Sequence, residues 1–343
     1  MVARLEQFLN RQWYQGGFLS TALRPLGALY CAASYLRHQF YTHGRRQRAA
    51  LPSLVVGNLT VGGSGKTPLV LALAQHLVAK GWHPALVSRG YRARPPAYPY
   101  LVQKDDDPIR AGDEPLLLSR RSQLPVVIGP DRLQDIAWLS TQGMADIVIL
   151  DDGFQHLSLL PDLSLLVVDG LRGFGVGRCL PAGPLREPLM ALHRADALIT
   201  NGVWTGDSSI SKAGLPLFEM QMQAQPLVSI EDSEIRKDLS TLQGQLVHAV
   251  SGIGNPERFF RQLEALGAIV QRHPFPDHHV FEKDDFRNLG DAPIVMTEKD
   301  AVKCAGLNLA NAWVLRIEAV LDSAFWCWFD ERLDRIRRMQ DGH

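Results

Sequence analysis

Cysteine is scarce in this 343-residue chain, and the four present, Cys31, Cys179, Cys304 and Cys327, show no paired spacing. That excludes a disulfide framework and a Cys-x-x-Cys zinc site, and it suits a reducing compartment. Net charge is absent too, since 36 Lys and Arg balance 36 Asp and Glu, which argues against a general nucleic-acid binder. Internal repeats and low-complexity tracts are missing. No uncharged run is long enough to cross a bilayer. Arg24 and Pro25 cut the apolar stretch at 13–41 into runs at 12–23 and 25–36, each short of the roughly 18–20 residues a span needs.

What charge there is lies unevenly. Residues 1–50 carry seven arginines and a single acid, Glu6, so the remainder holds the matching acidic excess. With Trp13, Tyr14, Tyr30, Tyr35 and Tyr41 beside Arg37 to Arg48, the segment reads as one lying in a membrane interface. Two other readings compete. One is an amphipathic helix packed on the protein's own core. The other is a cleaved signal peptide, which would export a phosphate-binding loop away from ATP.

That loop is the clearest feature present. The apolar run Leu54-Val55-Val56-Gly57 leads through Asn58 and Leu59 into Thr60-Val61-Gly62-Gly63-Ser64-Gly65-Lys66-Thr67, where a helix opens. Glycines let backbone N–H groups curl around a phosphate, and the following helix adds its positive end. Lys66 is placed to reach β/γ-phosphates, and the Thr67 hydroxyl to hold Mg²⁺. The usual pattern has glycine where Thr60 stands. A glycine-rich turn that binds nothing is the bland alternative.

Strand and helix patterns alternate from residue 51 to about 200, predicting a doubly wound, mostly parallel α/β sheet of the P-loop NTPase type. The expected division is an N-terminal helical, membrane-associating segment (1–48), a P-loop kinase core (49–202), linker strands (203–230) and a smaller C-terminal α/β subdomain (231–343). Ligands of such sheets sit beyond the carboxyl ends of the strands, where most polar motifs of this chain fall.

The run Ile147–Leu150 ends in Asp151-Asp152, the arrangement in which a carboxylate meets Mg²⁺ at a strand end. Adjacent acids on a strand point to opposite faces, so the two need not share a role. His156 follows within the same loop. Asp113, in Gly112-Asp113-Glu114-Pro115, reads either as a helix cap or as a base accepting a hydroxyl proton. Arg132 stands at a helix start, where a cation is unfavourable, so an anionic ligand is expected there. The stretch 181–188, Pro-Ala-Gly-Pro-Leu-Arg-Glu-Pro, reads as a rigid loop able to close over phosphate or substrate. Asp277-His278-His279 has too few ligands for a metal site and suits acid–base or orienting work. Thr297-Glu298-Lys299-Asp300 approaches a guanine-reading Asn-Lys-x-Asp motif without matching it.

Taken in order, these motifs, together with Ser88-Arg89-Gly90-Tyr91 and Gly252-Ile253-Gly254-Asn255-Pro256, resemble the tetraacyldisaccharide 4′-kinase family of lipid A biosynthesis. The resemblance implies transfer of the ATP γ-phosphate, with Mg²⁺, to the 4′-hydroxyl of a tetraacylated glucosamine disaccharide 1-phosphate. It implies work at the cytoplasmic face of the bacterial inner membrane, with no nucleic acid and no obligate protein partner. Carried over by position, Thr60 to Thr67 hold phosphate, and Thr67, Asp151 and Asp152 hold the metal. Asp113 is the implied base, assisted by His278, with Lys66 acting on the phosphates. His156 belongs with Asp151 and Asp152 to the implied metal and phosphate centre, and Arg132, Arg186 and Glu187 fall in positions tied to substrate or phosphate handling, in contact with it or just behind. Two rivals are a GTPase or metallochaperone-like P-loop protein, which lacks its guanine motif here, and a membrane-bound module that holds nucleotide without chemistry.

Overall fold

The computed structural model describes residues 2–206 and 214–341; residues 207–213, part of the expected linker, lie outside the described residues. The chain opens with three helices, α1 (Val2–Gln15), α2 (Phe18–Ala22) and α3 (Arg24–Thr42). Strands then alternate with helices: β1 (Ser53–Gly57), α4 (Lys66–Ala79), β2 (Pro84–Ser88), β3 (Tyr100–Leu101), α5 (Pro108–Ala111), α6 (Asp113–Ser122), β4 (Val126–Ile128), α7 (Arg132–Thr141), β5 (Ile147–Asp151), β6 (Leu163–Asp169), β7 (Ala197–Asn201) and β8 (Leu217–Ala224). Between β6 and β7, Leu189–Arg194 form a 3₁₀ helix.

A second sheet follows from β9 (Leu227–Ser229), β10 (Arg236–Lys237), β11 (Leu246–Ser251), β12 (Ile269–Pro274), β13 (Ile294–Thr297) and β14 (Ala312–Leu315). Its helices are α8 (Pro256–Ala265), α9 (Lys283–Phe286) and α10 (Glu298–Lys303). The strand order is β10-β9-β14-β13-β11-β12.

The last two elements, β15 (Ile317–Leu321) and α11 (Ser323–Asp341), do not stay with the second sheet. β15 pairs antiparallel with β8 and closes the edge of the first, whose order is β15-β8-β7-β6-β1-β5-β2-β4-β3. The apolar positions Phe325, Phe329, Leu333 and Ile336 of α11 join the core cluster of Leu69, Leu73 and Leu77 from α4. Helical spacing gives α11 an apolar face but does not say which neighbour receives it, so the pattern alone left the helix with the preceding strands. Phe329 is fully buried. Phe329→Ala is expected to cost about 3–5 kcal/mol of stability, read from a denaturant midpoint.

In β1 all five residues are buried, because helices cover both faces. Leu54 and Val56 face the α4 and α11 side while Val55 faces the α7 side, the two-residue alternation of a strand. β1 lies between β5 and β6, so the strand order reverses beside it. The crevice at such a reversal is where open α/β sheets bind ligands.

The N-terminal helices pack on the 178–187 loop. Trp13 Nε1 donates to the Pro181 carbonyl at 2.9 Å, Ser20 Oγ to that of Ala182 at 2.6 Å, and Tyr30 Oη to that of Arg186 at 3.1 Å. Their other side leaves Phe18, Leu26, Leu29, Leu36 and Phe40 exposed. Among the described residues no helix is long and apolar enough to cross a membrane.

Candidate active site

Beyond the end of β1 the chain makes the loop that opens α4. Gly65 takes a φ of 96° to turn into the helix, a region that L side chains rarely adopt. Two asparagines fix the loop from outside. Asn58 Nδ2 donates to Ser64 Oγ at 3.2 Å, and Asn201 Nδ2, from the end of β7, to the Ser64 carbonyl at 2.9 Å. Gly62 and Gly63 face open space, where a phosphate can approach their amides. Thr60 is buried, keeps out of the left-handed region and bridges to Leu185, while Val61 N donates to the Pro184 carbonyl at 2.9 Å. The rigid loop at 181–188 thus braces the turn that a first glycine would otherwise make.

β5 delivers Asp151 and Asp152 beside this loop. Asp152 sits at φ 55°, a conformation unusual for a non-glycine residue, and its carboxylate lies 3.4 Å from Lys66 Nζ and 2.8 Å from Arg186 Nη1. Burial would raise its pKa, but Lys66 and Arg186 outweigh it and hold the group below the usual carboxylate range. Asp151 is nearly inaccessible. Burial first, then the negative charge of Glu114, pushes it up to about 7 against the pull of Lys66. Its Oδ1 has no hydrogen-bond partner among the described residues. An orphaned carboxylate oxygen beside a phosphate loop fits a hard divalent cation, which takes one or two carboxylates and completes its shell with water and phosphate oxygens.

The opposite wall holds an acid–imidazole pair drawn from the two sheets. Asp113 opens α6, and its Oδ2 lies 3.0 Å from His278 Nδ1, on the loop after β12. Burial would raise the Asp113 pKa, yet the His278 hydrogen bond and Lys303 outweigh it and lower the value. His278 itself adopts φ 62°. Its neighbour His279 turns away to Asp285 at 2.9 Å. One cleft of about 940 Å³ contains Lys66, Thr67, Asp113, Asp151, Asp152, Arg186, Glu187 and His278 in its walls.

Two further residues of the expected set, Arg132 and His156, lie behind the cleft wall. Arg132 is buried, donates to the Gly129 carbonyl and sits 3.6 Å from Asp135, with Asp131 capping the helix. The cation at that helix start is therefore answered by a protein carboxylate three residues on. His156 contacts Ser158 Oγ at 3.0 Å, and burial, then the charge of Arg132, lowers its pKa to about 4. Glu187 accepts from Arg194 Nη2 at 2.6 Å and so anchors the loop carrying Arg186. Sequence reading missed Arg258 and Lys299 as part of the cleft, and Asn201, which holds the Ser64 carbonyl of its loop. Only Lys299 lay within a motif that sequence reading had singled out.

Transfer of a terminal phosphoryl group to an alcohol needs an anion cradle, charge to neutralise the phosphates and a base across from them. By fold and site, this is a P-loop kinase. The model of the tetraacyldisaccharide-1-P 4′-kinase family matches residues 19–334. The chain belongs to that family, and it is a phosphotransferase with an alcohol acceptor. It is 48% identical over 331 residues to the tetraacyldisaccharide 4′-kinase of Acidithiobacillus ferrooxidans, covering 96% of this chain and 98% of that one. Identity to the Pseudomonas aeruginosa enzyme is 45% over 326 residues, covering 94% and 96% of the two chains. The fold is similar to the crystal structure of Aquifex aeolicus LpxK in complex with ATP, with TM-score 0.75 and 29% identity over 93% of this chain and 99% of that one.

Proposed function

We propose that this enzyme transfers the γ-phosphate of ATP to the 4′-hydroxyl of a tetraacylated glucosamine disaccharide 1-phosphate, with Mg²⁺, at the cytoplasmic face of the inner membrane. The observation that carries the reading is that the His278-bound Asp113 carboxylate lines the same cleft as Lys66 and the Asp151–Asp152 pair.

In this reading the amides of residues 60–67 and the Lys66 ammonium hold the β- and γ-phosphates. Thr67, Asp151 and Asp152 would hold Mg²⁺, which when bound neutralises charge on the phosphate oxygens. Asp113 accepts the proton of the attacking hydroxyl, and His278 fixes the carboxylate's orientation. Arg186 offers further positive charge beside Asp152, at the carboxylate oxygen that Lys66 does not face. Arg132 and His156 act from behind the wall, Arg132 through its charge on Asp151.

The test is an incubation of the purified chain with the acylated disaccharide and γ-labelled ATP, with the labelled position read by NMR. Label is expected at the 4′-oxygen, abolished by chelation and restored by added Mg²⁺. Absence of transfer, or label at another hydroxyl, overturns the proposal.

The exposed apolar side of α2 and α3 suits an acceptor that lives in lipid. Full burial of a Leu or Phe side chain contributes about 1.5–3 kcal/mol, so four together decide membrane residence. A variant with Leu26, Leu29, Leu36 and Phe40 all replaced by serine is expected to leave the lipid fraction in a vesicle flotation assay. Unchanged flotation would assign that face to some other use.

A further inference from the structure

We propose that Lys299 is a positioning residue for phosphoryl transfer, setting the Asp113–His278 pair by bridging the residue beside each member. Its Nζ lies 3.0 Å from Glu114 Oε1, next to Asp113 on α6, and 3.5 Å from Asp277 Oδ1, next to His278. A ring of contacts closes in this way: Asp113 to His278, along the chain to Asp277, across Lys299 to Glu114, and back along α6.

The lysine is itself held on both sides. The preceding Glu298 pairs with Arg121 near the far end of α6. The following Asp300 is fully buried, accepts from Thr297 Oγ1 at 2.6 Å and from the Gly252 amide at 3.0 Å, and pairs with Lys303 at 2.8 Å. The Gly252 carbonyl in turn receives the His278 amide at 3.3 Å. Glu298, Lys299 and Asp300 thus tie the helix carrying the base to the loop carrying its histidine. A residue held at positive φ, as His278 is, persists only where its surroundings over-determine it.

Charge points the same way. Burial would lower the Lys299 pKa, but Glu114 and Asp277 outweigh it and raise it, so the bridge stays charged at neutral pH. The ionisable groups facing Asp113 are His278, Lys303 and Lys299, with Glu114 on its own helix and Asp277 behind the imidazole. Lys299 is among the charges that lower Asp113.

An ordinary surface ion pair would alter stability by about 0–1 kcal/mol and leave the chemistry alone. Small misplacements of a catalytic group, by contrast, cost up to about 100-fold in rate. The inference rests on Asp113 being the base. Lys299→Met is expected to lower kcat by about 10- to 100-fold with the KM for ATP unchanged, and to move the acid limb of the kcat–pH profile upward. Lys299→Arg, which can still span both carboxylates, is expected to restore most of the rate. In an Asp113→Ala background, Lys299→Met should add nothing further. Should Lys299→Met not fold, Asp277→Asn cuts one arm of the bridge and is expected to lower kcat alone. Wild-type kcat and pH profile in Lys299→Met, beside an inactive Asp113→Ala, would overturn the bridge and leave the base standing. Full turnover in Asp113→Ala would overturn the base reading instead.

Discussion

Asp113→Ala is expected to lower kcat by about two to four decades while ATP binds as before. The carboxylate lies on the cleft wall, bonded to His278, and none of its hydrogen-bond partners belongs to the phosphate loop. Nothing that cradles a nucleotide is therefore disturbed. Two forces contend over its proton. Burial favours the acid, while His278, Lys303 and Lys299 favour the carboxylate and prevail. The group is thus ionised and ready to accept a proton at neutral pH. Because its pKa is depressed, activity should fall only when pH drops well into the acid range. The double variant with His278→Ala should lose less than the product of the two single losses, since the two residues act as a unit. Turnover at the wild-type level, measured under saturating ATP and acceptor, would assign the proton to another group.

Lys66→Met should damage both binding and chemistry. Removing one preorganised charge at the transferring phosphoryl group costs about two to three decades in kcat. The Lys66 side chain is 14% exposed and its ammonium lies 3.4 Å from the Asp152 carboxylate, on the wall of the cleft. Without it Asp152 keeps Arg186 but loses one of its two cations, so its pKa should rise toward the usual carboxylate value. Calorimetric titration with ATP separates this variant from Asp113→Ala: heat of binding should shrink here and persist there. Retention of both affinity and rate would remove Lys66 from the phosphate site.

These two residues also mark how far sequence alone reaches. Lys66 was legible because its chemistry is local: an apolar strand, glycines, a lysine and a helix start fall within a few positions of one another. Asp151 and Asp152 were legible for the same reason. The partnership of Asp113 with His278 spans 165 positions, and no periodicity encodes it. It entered through family resemblance, and the geometry here distinguishes His278 from the adjacent His279. Helix electrostatics alone point to a bound anion at Arg132, yet Asp135, three residues on, already answers that charge. Lys299 stood out only within a near-match to a guanine-reading motif, and its reach to Glu114 spans 185 positions that no local pattern encodes. Most strands of both sheets followed from apolar runs bounded by turns, while the two-residue strands β3 and β10 carry no such run. The return of β15 and α11 did not, because a strand pattern specifies a face and not a neighbour.

That return makes the second sheet an insertion, entered after β8 and left before β15. The entry and exit run side by side, and Gln225 N donates to the Arg316 carbonyl at 2.9 Å. A lobe slung from two parallel cords cannot be cut off by a single break, nor can it twist freely. Its seat against the first sheet is fixed by the ion pairs that join it to α6, Lys299 to Glu114 and Glu298 to Arg121. A chain ending before Ile317 would forfeit more than a tail, for it would bare the edge of the sheet that carries the cradle.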